Sequence, residues 1–331
     1  MTSYESLISA RCGLITRQRD TLVISGPDAV PWLQGLVTSD LRLLVDEGNG
    51  HRTAFVNTTG RFLADARILH IPDLLFLDLE PGAIDGGLMG HLRRHIIMEE
   101  VALDDRSDAT GRLGLWGDRA PEILDALSDW EHPVADRPPF CGTWGALGDL
   151  GLIVQRLPWT KAPYFEISFA REAEKVLVDA LTKAAGDEFP HFDEDLFDVL
   201  RVEAGVPAFL RELHQKVIPL EATFDDAIAY DKGCYLGQEI IARLDTLGTP
   251  AKLLRRVVLQ GDQVPESGDD VLPEDGDGRP IGSVETAVFS PERQAPVALA
   301  FIKRKHNDPD ATVSINGMKG TIEVLPDVRD L

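Results

Sequence analysis

The sequence predicts an α+β protein that ends in a small β-barrel, on three observations. The chain has 331 residues, more than one hydrophobic core usually holds, so we expect two or three packed units. Residues 1–245 alternate strand and helix patterns, whereas residues 250–331 contain mainly short β-branched runs. We therefore divide the chain into a 1–245 region of two interleaved α+β domains and a 250–331 barrel domain.

Strand and helix patterns begin early in the chain. Thr21 to Ser25 is rich in strand-forming residues, and Gly26-Pro27-Asp28 then opens a stretch with apolar residues at helical spacing. The runs 52–57 and 61–71 are joined by Thr58-Thr59-Gly60, a short connection that predicts a hairpin.

The pattern of a strand followed by a helix then returns twice. It is found in 112–116 followed by 119–127, and in 164–169 followed by 171–185. A further helix is predicted from an Asp193 N-cap to Gly205. This repetition without sequence identity indicates α+β layers.

The barrel prediction rests on short strand-like runs near the end of the chain. Asn316-Gly317 lies in the connection before the last run and is a strong hairpin signal. The segment from Gly261 to Pro280 is rich in Gly, Pro and Asp, which predicts a loop. The runs are 282–289, 297–302, 312–315 and 321–325.

Charge and composition exclude several function classes. Asp and Glu outnumber Lys and Arg by 55 to 33, a formal charge of -22, which repels nucleic acid and anionic membranes. The apolar runs are far shorter than the ~20 residues of a membrane-spanning helix, and residues 1–19 lack the apolar core of a signal peptide. Three separate cysteines without a CxxC indicate neither a disulfide framework nor a zinc ribbon. We expect a cytoplasmic protein that binds neither nucleic acid nor membrane.

Common catalytic motifs are absent from the sequence. It contains no phosphate-binding GxxxxGK[ST], no GxGxxG after a strand and no GxSxG. His91 and His95 are spaced four residues apart on a predicted helix, but no HExxH glutamate accompanies them. We interpret this pair as a solvated helix face and predict no metal site.

The most informative stretch surrounds Cys234. Gly233 and Gly237 leave its backbone conformationally free, and a helix is predicted from Gln238. Lys232 and the helix N-terminus both favour a thiolate, which is the nucleophilic form of cysteine. The alternative is a buried structural cysteine, because free cysteines are among the most buried residues.

This stretch also carries a family resemblance. Lys232-Gly233-Cys234-Tyr235-Leu236-Gly237-Gln238-Glu239 resembles the KGCYxGQE motif of the YgfZ-type folate-binding proteins, which are similar to the T-protein (aminomethyltransferase) of the glycine cleavage system. Leu200-Arg201-Val202-Glu203-Ala204-Gly205-Val206-Pro207 is similar to the LRxEAGxP segment of both branches. The resemblance implies three domains around a central tetrahydrofolate site, with a C-terminal barrel.

Two departures separate this chain from the T-protein branch. That branch has an acidic pair in its first hairpin, where this chain has Ala64-Asp65. It also has a YTGE-like glutamate that holds the folate ring, where this chain has Trp159-Thr160-Lys161-Ala162. Both departures argue against aminomethyl transfer.

Within the YgfZ branch, the resemblance implies a folate-dependent accessory role in iron-sulfur cluster assembly or repair and, through it, in tRNA modification. The alternative is a folate-dependent aminomethyl- or methyltransferase, so the sequence leaves open whether the protein is an enzyme. The expected partners are folate, including its polyglutamated forms, and iron-sulfur proteins or their assembly factors.

Eight residues form the predicted site. Arg201 has a physical case, because a guanidinium can bind a folate carboxylate bidentately, with Glu203 orienting it; the alternative for Arg201 is a surface salt bridge. An island from Lys232 to Arg256, with five basic and two acidic residues, is a candidate site for a polyglutamate tail or an acidic partner; the alternative is a basic strand edge that deters aggregation. We expect Cys234 to be catalytic and folate to contact Arg201, Glu203, Trp159, Tyr235, Lys232, Gln238 and Asp65.

Overall fold

Two five-stranded antiparallel sheets and a closed barrel form the framework of the computed structural model, which describes residues 3–186, 188–274 and 278–331. In chain order the strands before the barrel are β1 (Gly13–Thr16), β2 (Asp20–Ser25), β3 (Gly50–Val56), β4 (Phe62–Ile71), β5 (Leu74–Leu79), β6 (Ala102–Asp105), β7 (Thr110–Trp116), β8 (Gly142–Leu147), β9 (Leu150–Arg156) and β10 (Tyr164–Ala170). The helices are α1 (Tyr4–Ala10), α2 (Ala29–Gln34), α3 (Met89–Arg94), α4 (Ala120–Asp125), α5 (Glu174–Ala185), α6 (Glu194–Ala204) and α7 (Gln238–Leu247).

The first sheet has the strand order β3-β4-β5-β2-β6. Its hairpin pairs β3 with β4, as the sequence predicts, with Gly60 in the connection at a φ of 72°. Leu33 of α2, Phe55 of β3 and Phe62 of β4 are fully buried in a core that continues to Phe301 of the barrel. This shared core attaches the barrel directly to the first sheet.

The second sheet has the order β1-β7-β10-β9-β8. Helices α4 and α5 cover it, and Ile123, Leu124, Leu177 and Leu181 are buried beneath them. Both repeats of a strand followed by a helix are therefore confirmed, with β7 before α4 and β10 before α5. The Asp193 cap is confirmed as well, because its carboxylate accepts a hydrogen bond from the Leu196 N–H at 3.0 Å.

The barrel strands are β11 (Lys252–Leu259), β12 (Asp270–Pro273), β13 (Gly282–Ser290), β14 (Ala295–Lys303), β15 (Thr312–Ile315) and β16 (Met318–Glu323). The barrel closes in the order β11-β14-β13-β12-β15-β16. Asn316 and Gly317 both have positive φ in the turn before β16, as expected of a tight hairpin. Part of the predicted loop between Gly261 and Pro280 is strand β12, which pairs with β13 and β15 and closes the barrel. Residues 275–277 of that segment lie outside the described residues.

No helix in the described part of the chain combines the length and apolar composition needed to cross a membrane. The three-part architecture with its C-terminal barrel confirms the predicted fold class. The boundary between residues 245 and 250 stays a prediction.

A close backbone contact joins the two sheets near Gly50. The Gly142 N–H donates to the Gly48 carbonyl at 2.9 Å. A Cβ atom on Gly50 would lie 1.9 Å from the Phe140 carbonyl oxygen. Only a residue without a side chain fits this contact.

We expect Gly50→Ala to destabilise the protein by about 1 to 3 kcal/mol, because the backbone at Phe140 must move to make room. Urea unfolding measures the change. Gly151→Ala is the matched control, since a Cβ there meets no atom within 4 Å. Equal stability of the two variants would contradict the packing role of Gly50.

Candidate functional site

A cavity of about 520 Å³ lies where the two sheets meet helix α6, and we call it the junction cavity. The turn between β1 and β2, the end of β5 and the segment after α6 contribute to its wall. Three of the eight predicted site residues line it, namely Asp65, Trp159 and Arg201.

Asp65 is a buried carboxylate on β4. The Arg52 guanidinium donates to both of its oxygens, at 3.2 and 3.0 Å, and Arg67 lies 3.5 Å from Oδ2. Burial nevertheless raises the pKa of Asp65, because desolvation outweighs the attraction of the arginines. The cavity therefore contains an oriented carboxyl group with an elevated proton affinity.

Behind Asp65 lies a buried network centred on Asp78. Arg19 and Arg67 each approach its Oδ2 at 2.8 Å or less, and Arg112 lies 3.2 Å from Oδ1. Glu166 lies 3.9 Å from Arg19, and burial raises its pKa as well. Since Arg112 and Glu166 belong to the second sheet, the network ties the two sheets together behind the cavity.

The rings of Trp159 and Phe197 belong to the apolar part of the cavity wall. Trp159 is buried, and the guanidinium of Arg52 lies 5.0 Å from the centre of its ring. Phe197 of α6 lies 3.9 Å from the guanidinium of Arg17. Guanidiniums over both rings hold them in place through cation–π contacts.

Arg201 lines the cavity but is mostly engaged by the protein itself. Its Nε donates to Asp198 at 2.7 Å, and its Nη1 donates to Glu212 at 2.9 Å and to the Val206 carbonyl at 3.1 Å. Its Nη2 contacts Thr286 of the barrel at 3.4 Å. Four of its five N–H groups thus have protein acceptors, which leaves one for a ligand.

Glu203 lies at a different place from Arg201. It accepts hydrogen bonds from Tyr4 at 3.0 Å and Ser290 at 2.5 Å, between α1 and the barrel. Arg201 and Glu203 are two positions apart on α6, so they point to nearly opposite sides of the helix and contact different neighbours. Glu203 does not line the junction cavity, and its contact with folate stays a prediction.

The four predicted residues of the KGCYLGQE stretch do not line the junction cavity. The Lys232 ammonium donates to the carbonyls of Gln34, Val37 and Ser39, at 2.7, 2.8 and 2.7 Å. It lies 5.0 Å from the centre of the Tyr235 ring, which is buried in the first core.

Gln238 begins α7, and its side-chain oxygen accepts from the Tyr235 N–H at 3.3 Å. Cys234 is exposed, whereas Cys12 and Cys141 are buried. The alternative of a buried structural Cys234 is therefore wrong. Its role as a catalytic residue stays a prediction.

Three of the five basic side chains of the predicted island form contacts inside the protein. Besides Lys232, Arg255 is buried and donates to the Asn307 carbonyl at 3.1 Å. Arg256 pairs with Glu323 at 2.8 Å and donates to the Glu203 carbonyl. These side chains are not available to hold a polyglutamate tail.

The prediction of a solvated His91–His95 face is wrong for His91, which is buried. Burial lowers its pKa to about 4, helped by the nearby His95 and Arg94. The two rings lie 4.6 Å apart. In the described ranges, no group of three or more His, Cys, Asp or Glu side chains is placed to hold a metal ion.

Sequence reasoning missed several polar residues of the site. Arg17, Glu80 and Glu194 line the junction cavity, and Arg17 pairs with Glu194. Arg17 and Arg19 lie in the tight turn between β1 and β2, a position that gives only a weak sequence signal for charged side chains that point inward.

Asp226 is a further residue that the sequence did not reveal; it does not line the junction cavity but lies in a short helical turn that packs on β3. Its Oδ2 is buried and has no hydrogen-bond partner within the described residues. Burial raises its pKa from 3.8 to about 6, against the attraction of Arg52.

Comparisons with known proteins agree with this architecture. Residues 16–232 match the family model described as the GCVT N-terminal domain, and residues 252–326 match the glycine cleavage T-protein C-terminal barrel domain. An aminomethyltransferase of Halalkalibacterium halodurans is 29% identical over 301 residues, which cover 89% of this chain and 80% of that relative. One from Caldanaerobacter subterraneus subsp. tengcongensis is 27% identical over 286 residues, covering 86% and 75%.

A solved structure has the same fold over nearly the whole chain. It is the glycine cleavage system aminomethyltransferase T from Bartonella henselae, which superposes with a TM-score of 0.84 at 18% identity. The match covers 98% of this chain and 88% of that one. At this identity the likeness concerns the fold.

The raised pKa of Asp226 makes stability depend on pH in a defined direction. The folded protein keeps this proton up to about pH 6, whereas the unfolded chain releases it near pH 4. The stabilising contribution of the protonated carboxyl is therefore complete below about pH 4 and lost as the pH rises through 6.

We expect Asp226→Asn, which cannot ionise, to be more stable than the parent by about 2 to 3 kcal/mol at pH 7.5 and equally stable near pH 4. Urea unfolding at both pH values measures this. Asp149→Asn, at an exposed hairpin position, is the control and should change nothing. A gain of equal size at both pH values would refute the assignment.

Proposed function

Because this chain belongs to the glycine cleavage T-protein family, we propose that it binds tetrahydrofolate in the junction cavity. The cavity volume of about 520 Å³ lies within the ~300 to 1,000 Å³ typical of small-molecule sites. Its wall combines the rings of Trp159 and Phe197 with oriented carboxyl groups. Flat heterocycles with N–H donors suit such a wall.

Different residues of the junction cavity would contact different parts of tetrahydrofolate. Trp159 and Phe197 would contact the ring system and exclude water from it. Asp65 would accept a ring N–H, since Arg52 and Arg67 fix the direction of its carboxylate. Tetrahydrofolate would supply the one-carbon carrier chemistry of the family.

Within the family, we propose a YgfZ-type role: a folate-binding accessory protein that supports iron-sulfur cluster assembly or repair and, through it, tRNA modification. The observation that carries this proposal is the exposed Cys234 on the KGCYLGQE stretch, outside the junction cavity. A thiol on a separate surface suits contact with a partner protein rather than with bound folate.

Two positions support the accessory role over transfer. Ala64 leaves Asp65 as the one carboxylate of its hairpin pair, and that carboxylate is held by two arginines. Ala162 stands where the T-protein branch has the glutamate that holds the folate ring. Such a site would keep groups that suit a folate ring but lacks two carboxylates of the T-protein pattern.

The second candidate function is folate-dependent aminomethyl transfer. It is favoured by the relatives, which are named aminomethyltransferases and match 86 to 89% of this chain. Turnover distinguishes the two candidates. Steady formation of methylenetetrahydrofolate from an aminomethyl donor would establish transfer and overturn the accessory role.

We expect calorimetry to detect micromolar or tighter binding of tetrahydrofolate, and Trp159→Ala to weaken it about tenfold by removing the aromatic wall. Trp144→Ala is the matched control, because Trp144 lies on β8 against His132 and does not line the cavity. Unchanged binding by Trp159→Ala would place folate elsewhere.

We expect iodoacetamide to label Cys234 faster than the buried Cys12 and Cys141, since alkylation requires access and thiolate character. Cys234→Ser should keep the fold and the folate affinity but fail to restore iron-sulfur enzyme activity in cells lacking the protein. Cys12→Ser is the control for loss of a thiol. Full restoration by Cys234→Ser would remove the functional role of this cysteine.

A further inference from the structure

A smaller cavity of about 310 Å³ lies between α1, α6 and the turn that joins β13 to β14, and we call it the α1 cavity. Within the described residues, it shares no lining side chain with the junction cavity. Its volume is at the lower end of the ~300 to 1,000 Å³ typical of small-molecule sites. The α1 cavity is therefore a separate place where a small ligand fits.

Glu203 contributes a buried carboxylate to this cavity, with only 4% of the residue exposed. The carboxylate accepts hydrogen bonds from the Tyr4 hydroxyl at 3.0 Å, the Ser290 hydroxyl at 2.5 Å and the Glu292 N–H at 3.3 Å. All three donors are uncharged, and no ion pair with a described Lys, Arg or His side chain engages it. Buried carboxylates normally have a positively charged partner.

The basic side chains of the α1 cavity already have other partners. The Lys161 ammonium lies 2.6 Å from Glu292, and the Arg11 guanidinium lies 3.2 Å from Asp118. With two basic and three acidic side chains, the lining has a formal charge of -1. The two ion pairs leave that charge on Glu203, so the cavity favours a ligand with one positive charge.

Trp116 adds a hydrogen-bond donor to the same cavity. The residue is 5% exposed, and its buried Nε1–H has no acceptor within the described residues. Buried indole N–H groups usually have a hydrogen-bond partner. An oxygen atom of a bound ligand would provide one.

Aliphatic side chains form another part of the lining. Leu200 of α6 is buried, whereas Ile8 of α1 is 44% exposed. Both suit the methylene groups of a ligand rather than its charged end. The lining thus offers a carboxylate, an N–H donor and an apolar surface.

We propose that the α1 cavity binds a small aliphatic amine that carries an uncharged oxygen acceptor, of which an amino alcohol is the simplest case. The ammonium group would bind Glu203, and the oxygen would accept from the Trp116 N–H. A ligand carboxylate would meet repulsion from the net negative lining, so the proposed class does not include amino acids. This inference does not rest on the proposed function, and it gives Glu203 a ligand other than folate.

The first test compares three linear four-carbon probes by calorimetry. Aminobutanol carries an ammonium and a hydroxyl group at opposite ends, butylamine lacks the hydroxyl, and butanediol lacks the ammonium. We expect aminobutanol to bind with a Kd of about 1 mM or tighter, butylamine about fivefold more weakly, and butanediol without measurable affinity. Equal affinities for the three probes would overturn the inference.

The indole N–H of Trp116 reports directly on the oxygen contact. Its resonance in the proton–nitrogen NMR spectrum is identified by its loss in Trp116→Phe. We expect aminobutanol to shift this resonance and butylamine to shift it much less. Trp116→Phe should bind aminobutanol only as well as butylamine. A resonance that does not move at saturating aminobutanol would overturn the assignment of Trp116, and the inference with it.

Charge variants test the ammonium contact. Glu203→Gln, whose amide can still bond to the surrounding hydroxyl groups, should weaken aminobutanol binding at least about tenfold. Glu122→Gln is the matched control, because it makes the same charge change at an exposed position on α4. Lys161→Gln removes an exposed cation from the cavity wall and should tighten binding about threefold.

The two charge variants of the cavity decide the inference together. Unchanged affinity in both Glu203→Gln and Lys161→Gln would overturn it. Should Glu203→Gln fail to fold, the result for Lys161→Gln and the Trp116 resonance decide the matter.

A competition experiment separates this inference from the proposed function. Saturating tetrahydrofolate should leave aminobutanol bound, because the two cavities are separate. Competitive displacement would make Glu203 part of the folate site and overturn this inference. Failure of tetrahydrofolate to bind would overturn the proposed function and leave the amine site standing.

Discussion

The ion pairs around Asp78 are the constraint on which the rest of the site depends. Asp78 and the three arginines that surround it, Arg19, Arg67 and Arg112, are all buried. Removing one partner from such a buried network typically costs about 3 to 5 kcal/mol, because it leaves a charge without water or a counter-ion. The two sheets must therefore keep the relative position that brings Arg112 to Asp78.

This constraint reaches the cavity through Arg67. The same guanidinium that binds Asp78 lies beside Asp65, whose other partner is Arg52. Arg52 in turn contacts the faces of Trp159 and Phe224. One connected set of contacts thus fixes the carboxylate and the aromatic wall of the cavity, so a ligand meets groups that are already oriented.

The fold was predictable from the sequence to the extent that local patterns determine it. The β3–β4 hairpin, α6 with its Asp193 cap, and the Asn316-Gly317 turn were predicted because each depends on neighbouring residues. The sequence did not reveal β12, because closing the barrel depends on distant partners that outweigh the loop-like composition of its segment.

The site was less predictable from the sequence, because the direction in which each side chain points determines which residues line the cavity. A motif places residues close in sequence, but Arg201 and Glu203 of one helix reach different neighbours, the Glu212 turn and the α1–barrel junction. Asp226 carries no motif. Its raised pKa depends on the burial of a carboxylate oxygen, which cannot be read from residue type.

The KGCYLGQE stretch combines residues that anchor the backbone with one exposed side chain, Cys234. The Lys232 ammonium donates to three backbone carbonyls between Gln34 and Ser39, which anchors the stretch to the segment that follows α2. The side chain of Gln238 accepts a hydrogen bond from the Tyr235 N–H at the start of α7. An ammonium with three carbonyl acceptors has all its donors satisfied. These contacts fix the backbone on both sides of Cys234, whose side chain is exposed. The proposed contact of this thiol with a partner protein therefore depends on neighbours that are themselves engaged inside the protein, so a substitution of Lys232 would move the thiol as well as remove an ammonium group.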